Sequence, residues 1–246
     1  MTELPPGHVH LWLVKDTAVI DPDLAARYAA LLNTEEKIRW QRFIHAHDRQ
    51  RFLLTRALAR TVLAGYLDGA DPASLNFTAN MHGKPALADS TAINFNLSHT
   101  KGLLALAVTS AGDIGVDVED ITRRAATLEL AARYFSAHEN RELAALPAEH
   151  QRDHFFRIWT LKEAYVKARG LGLRIPLDSF SFSFANTLPG ITFTDADFTD
   201  HQHWFFHCMS HDDFRIALAM KLSGQRVVQL QVYNGVPLEG FSSPGC

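Results

Sequence analysis

The sequence predicts an α+β fold of two lobes, each of which combines short strands with helices. Three observations lead to this prediction. Apolar and polar residues alternate with the period of a strand near the start of the chain and through much of its last third. Segments rich in arginine, leucine and alanine have helical spacing. A turn at residues 110–113 separates two halves of similar length, so we place the lobes at residues 1–112 and 113–246.

The first lobe is predicted to begin with a strand at residues 8–14 and a short helix at residues 21–32. Asn33 and Glu36 have the spacing of a capping box, which predicts a second helix that continues through Leu67. The remaining strands of this lobe are expected at residues 73–98, broken by a turn at 81–85, and at residues 102–109.

The second lobe is predicted to begin with a strand at residues 114–121 and a helix at residues 128–134. Ser136 and Glu139 form another capping-box pair and open a second helix. A third helix spans residues 153–169 and stops at a glycine. Short segments of an antiparallel meander follow, at residues 180–184, 191–193, 204–209, 214–220 and 227–232.

The composition excludes several classes of protein. The net charge of −3 provides no basic field for nucleic acid or anionic lipid. The chain has no leader-like start and no run of about 18 uncharged apolar residues, so we expect a cytoplasmic protein without membrane contact. Cys208 and Cys246 are too few for a disulfide framework and are interpreted as free thiols. A chain of this length in two lobes is expected to be a monomer.

Two acidic residues share one face of the predicted strand at residues 114–121. Because strand neighbours face opposite sides, the hydrophobic residues 114, 116 and 118 line one face, and Asp117 and Glu119 line the other. A separation of about 7 Å along the strand suits two carboxylates that share one cation and is unfavourable without it. An exposed polar strand face is the simpler alternative.

A third acidic residue lies on the predicted helix at residues 153–169. Glu163 and Lys167 are four residues apart on one stripe of this helix, with aromatic residues on either side. An isolated pair of this kind would be a solvated surface ion pair with little effect on stability. The density of aromatic residues around the pair favours a functional site instead.

A hydroxyl and an imidazole occur together at Ser98 and His99, and the turn at residues 81–85 carries Lys84 and Pro85. Neighbours on a strand face opposite ways and no G-x-S-x-G motif is present, so a serine hydrolase is rejected. Phosphate oxygens accept hydrogen bonds from several directions, and these residue types suit them.

Two motifs together resemble the paired signature of the Sfp-type 4'-phosphopantetheinyl transferase family: GVDVE at 115–119 and WTLKEAYVKARGLGL at 159–173. The order and spacing of the NFNLSHT, GKP, RYFSAHE and RFIHAHDRQRFLLTRALAR segments also resemble this family. The resemblance implies two similar α+β lobes in pseudo-twofold arrangement, with the active site between them. It further implies transfer of the phosphopantetheine arm of coenzyme A to a serine of an apo acyl or peptidyl carrier protein, with release of adenosine 3',5'-bisphosphate.

The resemblance also implies roles for individual residues. Asp117, Glu119 and Glu163 are expected to hold Mg²⁺ against the diphosphate of the co-substrate coenzyme A. Glu163 is expected to be the general base, and Lys167 to steady the leaving phosphate. The expected contacts to coenzyme A are Arg39, Arg51, Lys84, Pro85, Ser98, His99, Lys162 and Lys167.

Three alternatives compete with this interpretation. A zinc hydrolase would use the histidine cluster around Cys208, formed by His201, His203, His207 and His211. A non-catalytic coenzyme A-binding protein would keep the phosphate contacts and have no need of Glu163 and Lys167. Dinucleotide binding would rest on Gly170 and Gly172 alone, which follow a helix rather than precede one.

Overall fold

The computed structural model describes residues 3–16, 20–90, 92–123, 127–185, 188–194, 203–222, 224 and 228–243. The helices are α1 (Pro22–Leu31), α2 (Thr34–Gln41), α3 (Ala46–Ala64), α4 (Thr127–Tyr134), α5 (Ala137–Ala145) and α6 (Ala148–Arg169). The strands are β1 (His8–Lys15), β2 (Phe77–Ala79), β3 (Pro85–Leu87), β4 (Asn94–Thr100), β5 (Leu103–Thr109), β6 (Ile114–Asp120), β7 (Phe180–Ser183), β8 (Gly190–Phe193), β9 (Trp204–His211), β10 (Phe214–Lys221), β11 (Gln229–Val236) and β12 (Gly240–Ser242). Each of these helices is too short or too polar to cross a lipid bilayer.

Two sheets form the centre of the molecule, and helices cover their outer faces. The first sheet has the strand order β12-β11-β1-β5-β4, and the second has the order β6-β10-β9. Hydrophobic residues from β1, β5, β6 and β10 fill the space between the sheets. Helices α1 and α3 pack on the outer face of the first sheet, and α6 packs on the outer face of the second. The predicted α+β class is confirmed, and the pseudo-twofold relation of the lobes stays a prediction.

The central strands are buried on both faces, because one face meets the other sheet and the opposite face meets the helices. In β1, Leu11 and Leu13 point into the core between the sheets, whereas Trp12 and Val14 point towards the helices. All seven residues of β5 are buried for the same reason. A strand with both faces covered reads as a continuous hydrophobic run rather than as a clean alternation.

The local start and stop signals in the sequence are confirmed. Asn33 opens α2 with the predicted capping box, and its side chain accepts from the backbone N–H of Glu36. Ser136 opens α5 in the same way with Glu139. Helix α6 ends at Gly170, which has the left-handed conformation at φ 63° that glycine adopts without steric penalty.

The predicted single helix from Asn33 through Leu67 is wrong, because the segment forms two helices. Helix α2 ends at Gln41 and α3 begins at Ala46. Phe43, in the break, packs against Phe52 of α3 with ring centroids 5.3 Å apart. Helix α6 also begins five residues earlier than predicted, at Ala148, directly after the N-cap residue Pro147.

The tail of the chain lies in the first sheet rather than in the second lobe. Strand β11 pairs in parallel with β1, and β12 pairs with β11. Tyr233 stacks on Trp12 at 4.1 Å, and Phe241 contacts the same indole edge-on at 4.8 Å. The predicted division at residues 112 and 113 therefore does not hold for residues 229–242. The predicted meander is wrong at the same point, and Val227 lies outside the described residues.

The remaining predicted strands of the meander form two separate pairings. Strands β7 and β8 make a hairpin of their own. Strands β9 and β10 make a second hairpin, which joins β6 in the second sheet.

We predict that Tyr233→Ala lowers the free energy of unfolding by about 2 kcal/mol, because it removes the ring that stacks on Trp12. Tyr233→Phe is the matched control, since it retains the ring, and it should stay within about 0.5 kcal/mol of the wild type. Urea unfolding followed by far-ultraviolet circular dichroism measures both. Equal unfolding midpoints for the two variants would show that the stacked ring of Tyr233 does not stabilise the first sheet.

Candidate active site

A cleft of about 300 Å³ lies between the two lobes. The first lobe contributes Lys84 from the turn before β3, Pro85 from the start of β3, and Asn96 from β4. The second lobe contributes Glu163 and Lys167 from α6. The cleft therefore brings together residues from both halves of the sequence.

Strand β6 contacts α6 closely, and this contact places the acidic residues next to the helix. A Cβ atom on Gly115 would lie 2.0 Å from the carbonyl oxygen of Ala164 and 2.4 Å from the backbone nitrogen of Ala168. Only glycine fits at this position. The predicted alternation of β6 is confirmed, because its apolar residues enter the core between the sheets and its Gly115 face meets the helix.

Asp117 is the centre of a buried hydrogen-bonded group. Its Oδ1 atom accepts from Lys167 Nζ at 2.6 Å and from Ser98 Oγ at 3.0 Å. Lys167 Nζ also donates to Ser98 Oγ at 2.8 Å. The Oδ2 atom of Asp117 is buried and has no hydrogen-bond partner in the described structure. The structure thus brings Ser98 of the first lobe together with Asp117 and Lys167 of the second.

Glu119 and Glu163 lie near Asp117, and the charge of Asp117 acts on both. Glu119 Oε1 accepts from Trp159 Nε1 at 3.0 Å, and Oε2 is 3.4 Å from Arg123 Nη2. Burial, together with the charge of Asp117, raises the pKa of Glu119 to about 7. Burial and then Asp117 also raise the pKa of Glu163, and Lys167 opposes that shift. Both glutamates are therefore electrostatically coupled to Asp117.

The chemistry of these residues fits a hard cation such as Mg²⁺. The unpartnered Asp117 Oδ2 is a buried oxygen ligand without a donor, and Mg²⁺ is usually held by one or two carboxylates together with phosphate oxygens and water. No group of three or more His, Cys, Asp or Glu side chains in the described ranges is arranged to hold a metal ion. That all three carboxylates hold one ion stays a prediction.

The same finding bears on the histidine cluster. His207 and His211 lie on one face of β9, but neither belongs to a metal-binding group among the described residues. His203 precedes the strand, and His201 lies outside the described residues. The described histidines therefore lend the zinc alternative no support. Cys208 is a free thiol, and burial raises its pKa to about 11. Cys246 also lies outside the described residues.

A second cleft of about 330 Å³ collects three of the predicted coenzyme A contacts: Arg39, Arg51 and His99. Arg51 is fixed by Asp16, whose Oδ2 atom accepts from Arg51 Nε at 2.7 Å. Burial, and then the charges of Arg51 and Lys167, lower the pKa of His99 from its usual value. Because the charge of Lys167 acts on His99, this basic cleft lies close to the group around Asp117.

Lys84 and Pro85 lie at the C-terminal end of α6. Lys84 Nζ donates to the carbonyl oxygen of Ala168 at 2.6 Å and is 3.4 Å from Asp113 Oδ1. Asn80 Nδ2 donates to the carbonyl oxygen of Gly170 at 2.8 Å. The turn from the first lobe thus caps the helix that carries Glu163 and Lys167. A phosphate contact from Lys84 or Pro85 stays a prediction.

The prediction that Lys162 contacts phosphate is wrong. Its side chain is fully buried and forms an ion pair with the equally buried Glu139 at 2.8 Å. Lys162 Nζ also donates to the carbonyl oxygens of Leu177 and Phe180, each at 2.6 Å. One residue along a helix is a rotation of about 100°, so Lys162 points into the second lobe when Glu163 points into the cleft.

Sequence reasoning missed several residues that shape the site. Asn96 Oδ1 accepts from the backbone N–H of Val116 at 2.9 Å and so links β4 to β6. Asn96 lies two residues before Ser98, so both side chains are on one face of the strand, and the sequence alone could have indicated this. Trp159 contacts Glu119, and Asp16 contacts Arg51. The two residues of each pair are distant in sequence, and no local pattern indicates such contacts.

Comparison with known proteins gives consistent matches over most of the chain. The profile of the 4'-phosphopantetheinyl transferase superfamily matches residues 113–219, and that of the 4'-phosphopantetheinyl transferase N-terminal region matches residues 22–111. A 4'-phosphopantetheinyl transferase from Bacillus subtilis is 33% identical over 207 residues, which is 79% of this chain and 89% of that protein. The chain belongs to the 4'-phosphopantetheinyl transferase superfamily.

Other relatives agree with this assignment. The 4'-phosphopantetheinyl transferase HetI from a Nostoc species is 38% identical over 169 residues, which is 67% of this chain and 70% of HetI. A holo-(acyl-carrier-protein) synthase from Bacillus anthracis, solved in complex with CoA (3',5'-ADP), aligns with 46% of this chain and 98% of its own. That alignment has 18% identity and a TM-score of 0.40, which is too low to add to the assignment. As a phosphopantetheinyl transferase, the chain is an enzyme, and the predicted family is confirmed.

We predict that Lys162→Met destabilises the phosphopantetheinyl transferase by about 3 kcal/mol or more, because it leaves Glu139 as an unpaired buried charge. Lys15→Met is the control, since it removes a lysine from an exposed pair with Asp212 and should cost less than about 1 kcal/mol. Urea unfolding and the KM for coenzyme A are measured for both. A raised KM with wild-type stability in Lys162→Met would restore the phosphate-contact role.

Proposed function

We propose that this enzyme transfers the 4'-phosphopantetheine group of coenzyme A to a serine of an apo carrier protein and releases adenosine 3',5'-bisphosphate. The observation that carries the proposal is that Glu163 and Lys167 line the cleft between the lobes, and that Lys167 binds the buried Asp117 behind them. The basic cleft beside it supplies cations for a polyanionic co-substrate. Family membership supports the same reaction.

Glu163 is proposed as the general base. It faces the inter-lobe cleft and has no hydrogen-bond or ion-pair partner among the described residues. Its raised pKa makes it a better proton acceptor than an exposed glutamate, because a base works best when its pKa approaches the working pH. The serine oxygen forms a bond to the phosphorus on the pantetheine side of the diphosphate. The bond from that phosphorus to the leaving adenosine bisphosphate breaks, and the serine proton moves to Glu163.

Lys167 is proposed to hold the charge that develops on the leaving phosphate. Lys167 lies on the same helix face as Glu163, one turn further on; its side chain lines the cleft and is 29% exposed. Ser98, which already contacts Lys167, can donate or accept beside it. A fixed cation at the site of developing charge stabilises the transition state without reorganisation.

Asp117, Glu119 and Glu163 are proposed to hold Mg²⁺. Bound there, the ion would neutralise charge on the diphosphate oxygens of coenzyme A. Asp117 contributes the buried and unpartnered Oδ2 atom, and the two glutamates contribute further hard oxygen atoms. Arg39, Arg51 and His99 are proposed to contact the phosphorylated adenosine end in the basic cleft, with Lys84, Pro85 and Ser98 nearer the diphosphate.

The proposed partners are carrier proteins of the acyl or peptidyl type, as used in fatty acid, polyketide and nonribosomal peptide synthesis. The cytoplasm as the place of reaction and the monomeric state stay predictions. A non-catalytic coenzyme A-binding protein is the alternative, and it would need no base in the cleft. Incubation with apo carrier, coenzyme A and Mg²⁺, followed by mass spectrometry, distinguishes the two, because only the enzyme adds one phosphopantetheine to the carrier.

We predict that Glu163→Gln lowers the transfer rate by about 100-fold or more, since the amide cannot accept the serine proton. Binding of coenzyme A, measured by calorimetry with Mg²⁺ present, should remain. Glu149→Gln is the matched control, because Glu149 is an exposed residue on the same helix. A wild-type transfer rate in Glu163→Gln would remove Glu163 from the mechanism.

We predict that Glu119→Gln stabilises the metal-free protein at alkaline pH. The folded-state pKa of Glu119 is about 7, above the usual value of 4.5, so the folded protein retains a proton that the unfolded chain releases. The folded state is therefore destabilised as the pH rises from about 4.5 through 7, and the full penalty is present above 7. Glutamine removes this penalty and still accepts from Trp159.

The thermal unfolding midpoint in the presence of a chelator tests this prediction. Glu119→Gln should exceed the wild type at pH 8, and the difference should vanish at pH 4. A constant difference at both pH values would mean that ionisation of Glu119 does not cause it. The variant should lose transfer activity despite its greater stability.

A further inference from the structure

Glu119 is held by donors from two different elements. The indole N–H of Trp159 on α6 donates to Oε1 at 3.0 Å, and the guanidinium of Arg123, which follows β6, lies 3.4 Å from Oε2. The two donors differ in burial. Arg123 is half-exposed, whereas the indole of Trp159 is packed between other aromatic rings. The Trp159 contact is therefore the fixed one and the Arg123 contact is the exchangeable one.

The indole of Trp159 has a well-defined position. It stacks on Phe155 with ring centroids 5.8 Å apart and an interplanar angle of 20°. Tyr134 of α4 meets it edge-on at 5.7 Å. Rings held on two sides keep their orientation, so the N–H group points at Glu119 without an additional loss of side-chain freedom.

Glu119 needs such an anchor because the charge of Asp117 acts on it. Asp117 is bound by Ser98 and Lys167, but the charge of Asp117 acts on Glu119 and favours its rotation away. A single rigid donor on Oε1 opposes that rotation and leaves Oε2 to a cation. In this structure the cation beside Oε2 is the side chain of Arg123.

We propose that Trp159 is a positioning residue that holds Glu119 through Oε1, so that Oε2 is the oxygen presented to a divalent cation in exchange for Arg123. This inference rests on the proposed function, because it assumes that Glu119 contributes to the Mg²⁺ site. It also explains why one face of α6 carries Trp159, Glu163 and Lys167 at four-residue spacing: a single rigid helix orients one carboxylate, supplies another and supplies the lysine.

Mg²⁺ affinity tests the inference without catalysis. MgCl₂ is titrated by calorimetry into the full-length protein saturated with coenzyme A, and no carrier protein is added, so no turnover occurs. Trp159→Phe keeps an aromatic ring and removes the donor. It should weaken Mg²⁺ binding about tenfold, the lower end of the effect seen when a group that orients a metal ligand is lost.

Trp40→Phe is the matched control. The indole nitrogen of Trp40 is buried and has no hydrogen-bond partner in the part of the chain that the structure describes, so the same substitution breaks no hydrogen bond there. A second variant replaces Trp159 with benzothienylalanine, in which sulfur takes the place of the indole N–H while the shape of the ring system is kept. This variant reports on the hydrogen bond even where the smaller phenylalanine disturbs folding.

A double-mutant cycle shows whether Trp159 acts through Glu119. Glu119→Ala alone should weaken Mg²⁺ binding, and adding Trp159→Phe should have no further effect. Additive losses, or wild-type affinity in both Trp159 variants, would overturn the inference and leave the proposed function intact. Absence of Mg²⁺ binding in the wild type would overturn both, and failure of the wild type to modify any carrier would overturn the proposed function alone.

Discussion

The contact between β6 and α6 at Gly115 is the constraint on which the site depends. At this point the strand and helix backbones approach so closely that a methyl group would overlap the helix. The approach places Asp117 within hydrogen-bond distance of Lys167, which lies on the helix face that lines the cleft. A larger residue at position 115 would push β6 away from α6, and so would separate Asp117 from Lys167. The glycine of the GVDVE motif is therefore needed for the close packing that brings the residues of the site together.

Charge balance in the site follows from this geometry. The charge of Asp117 acts on both Glu119 and Glu163, and together with burial it makes ionisation of either glutamate less favourable. Lys167 and Arg123 offset part of this charge, and each does so from a separate element. A site with excess negative charge and a neighbouring basic cleft attracts a divalent cation and a polyanion together, because each reduces the repulsion that the other would meet.

Much of the fold and part of the site follow from local sequence patterns. Both capping boxes, the stop at Gly170 and the two faces of β6 depend on residues within a few positions of one another, so they were predictable. Phe43, in the break between α2 and α3, packs against Phe52, and helical spacing reveals neither the break nor this contact. Lys162 belongs to a motif whose letters suggest a phosphate contact, but its direction is set by a glutamate on another helix. The partner of β11 was unpredictable for a similar reason, since alternation specifies a strand and not its neighbour.

The position of β11 has a consequence for the order in which the molecule assembles. Strand β1, near the start of the chain, is sandwiched between β5 and a strand that follows some two hundred residues later. As the polypeptide leaves the ribosome, the lobe that is made first lacks part of its sheet until nearly the whole chain has emerged. Contacts so distant in sequence slow folding, and until they form the exposed edge of β1 is open to pairing with other nascent chains. The first lobe is thus completed only after the whole second lobe has been synthesised.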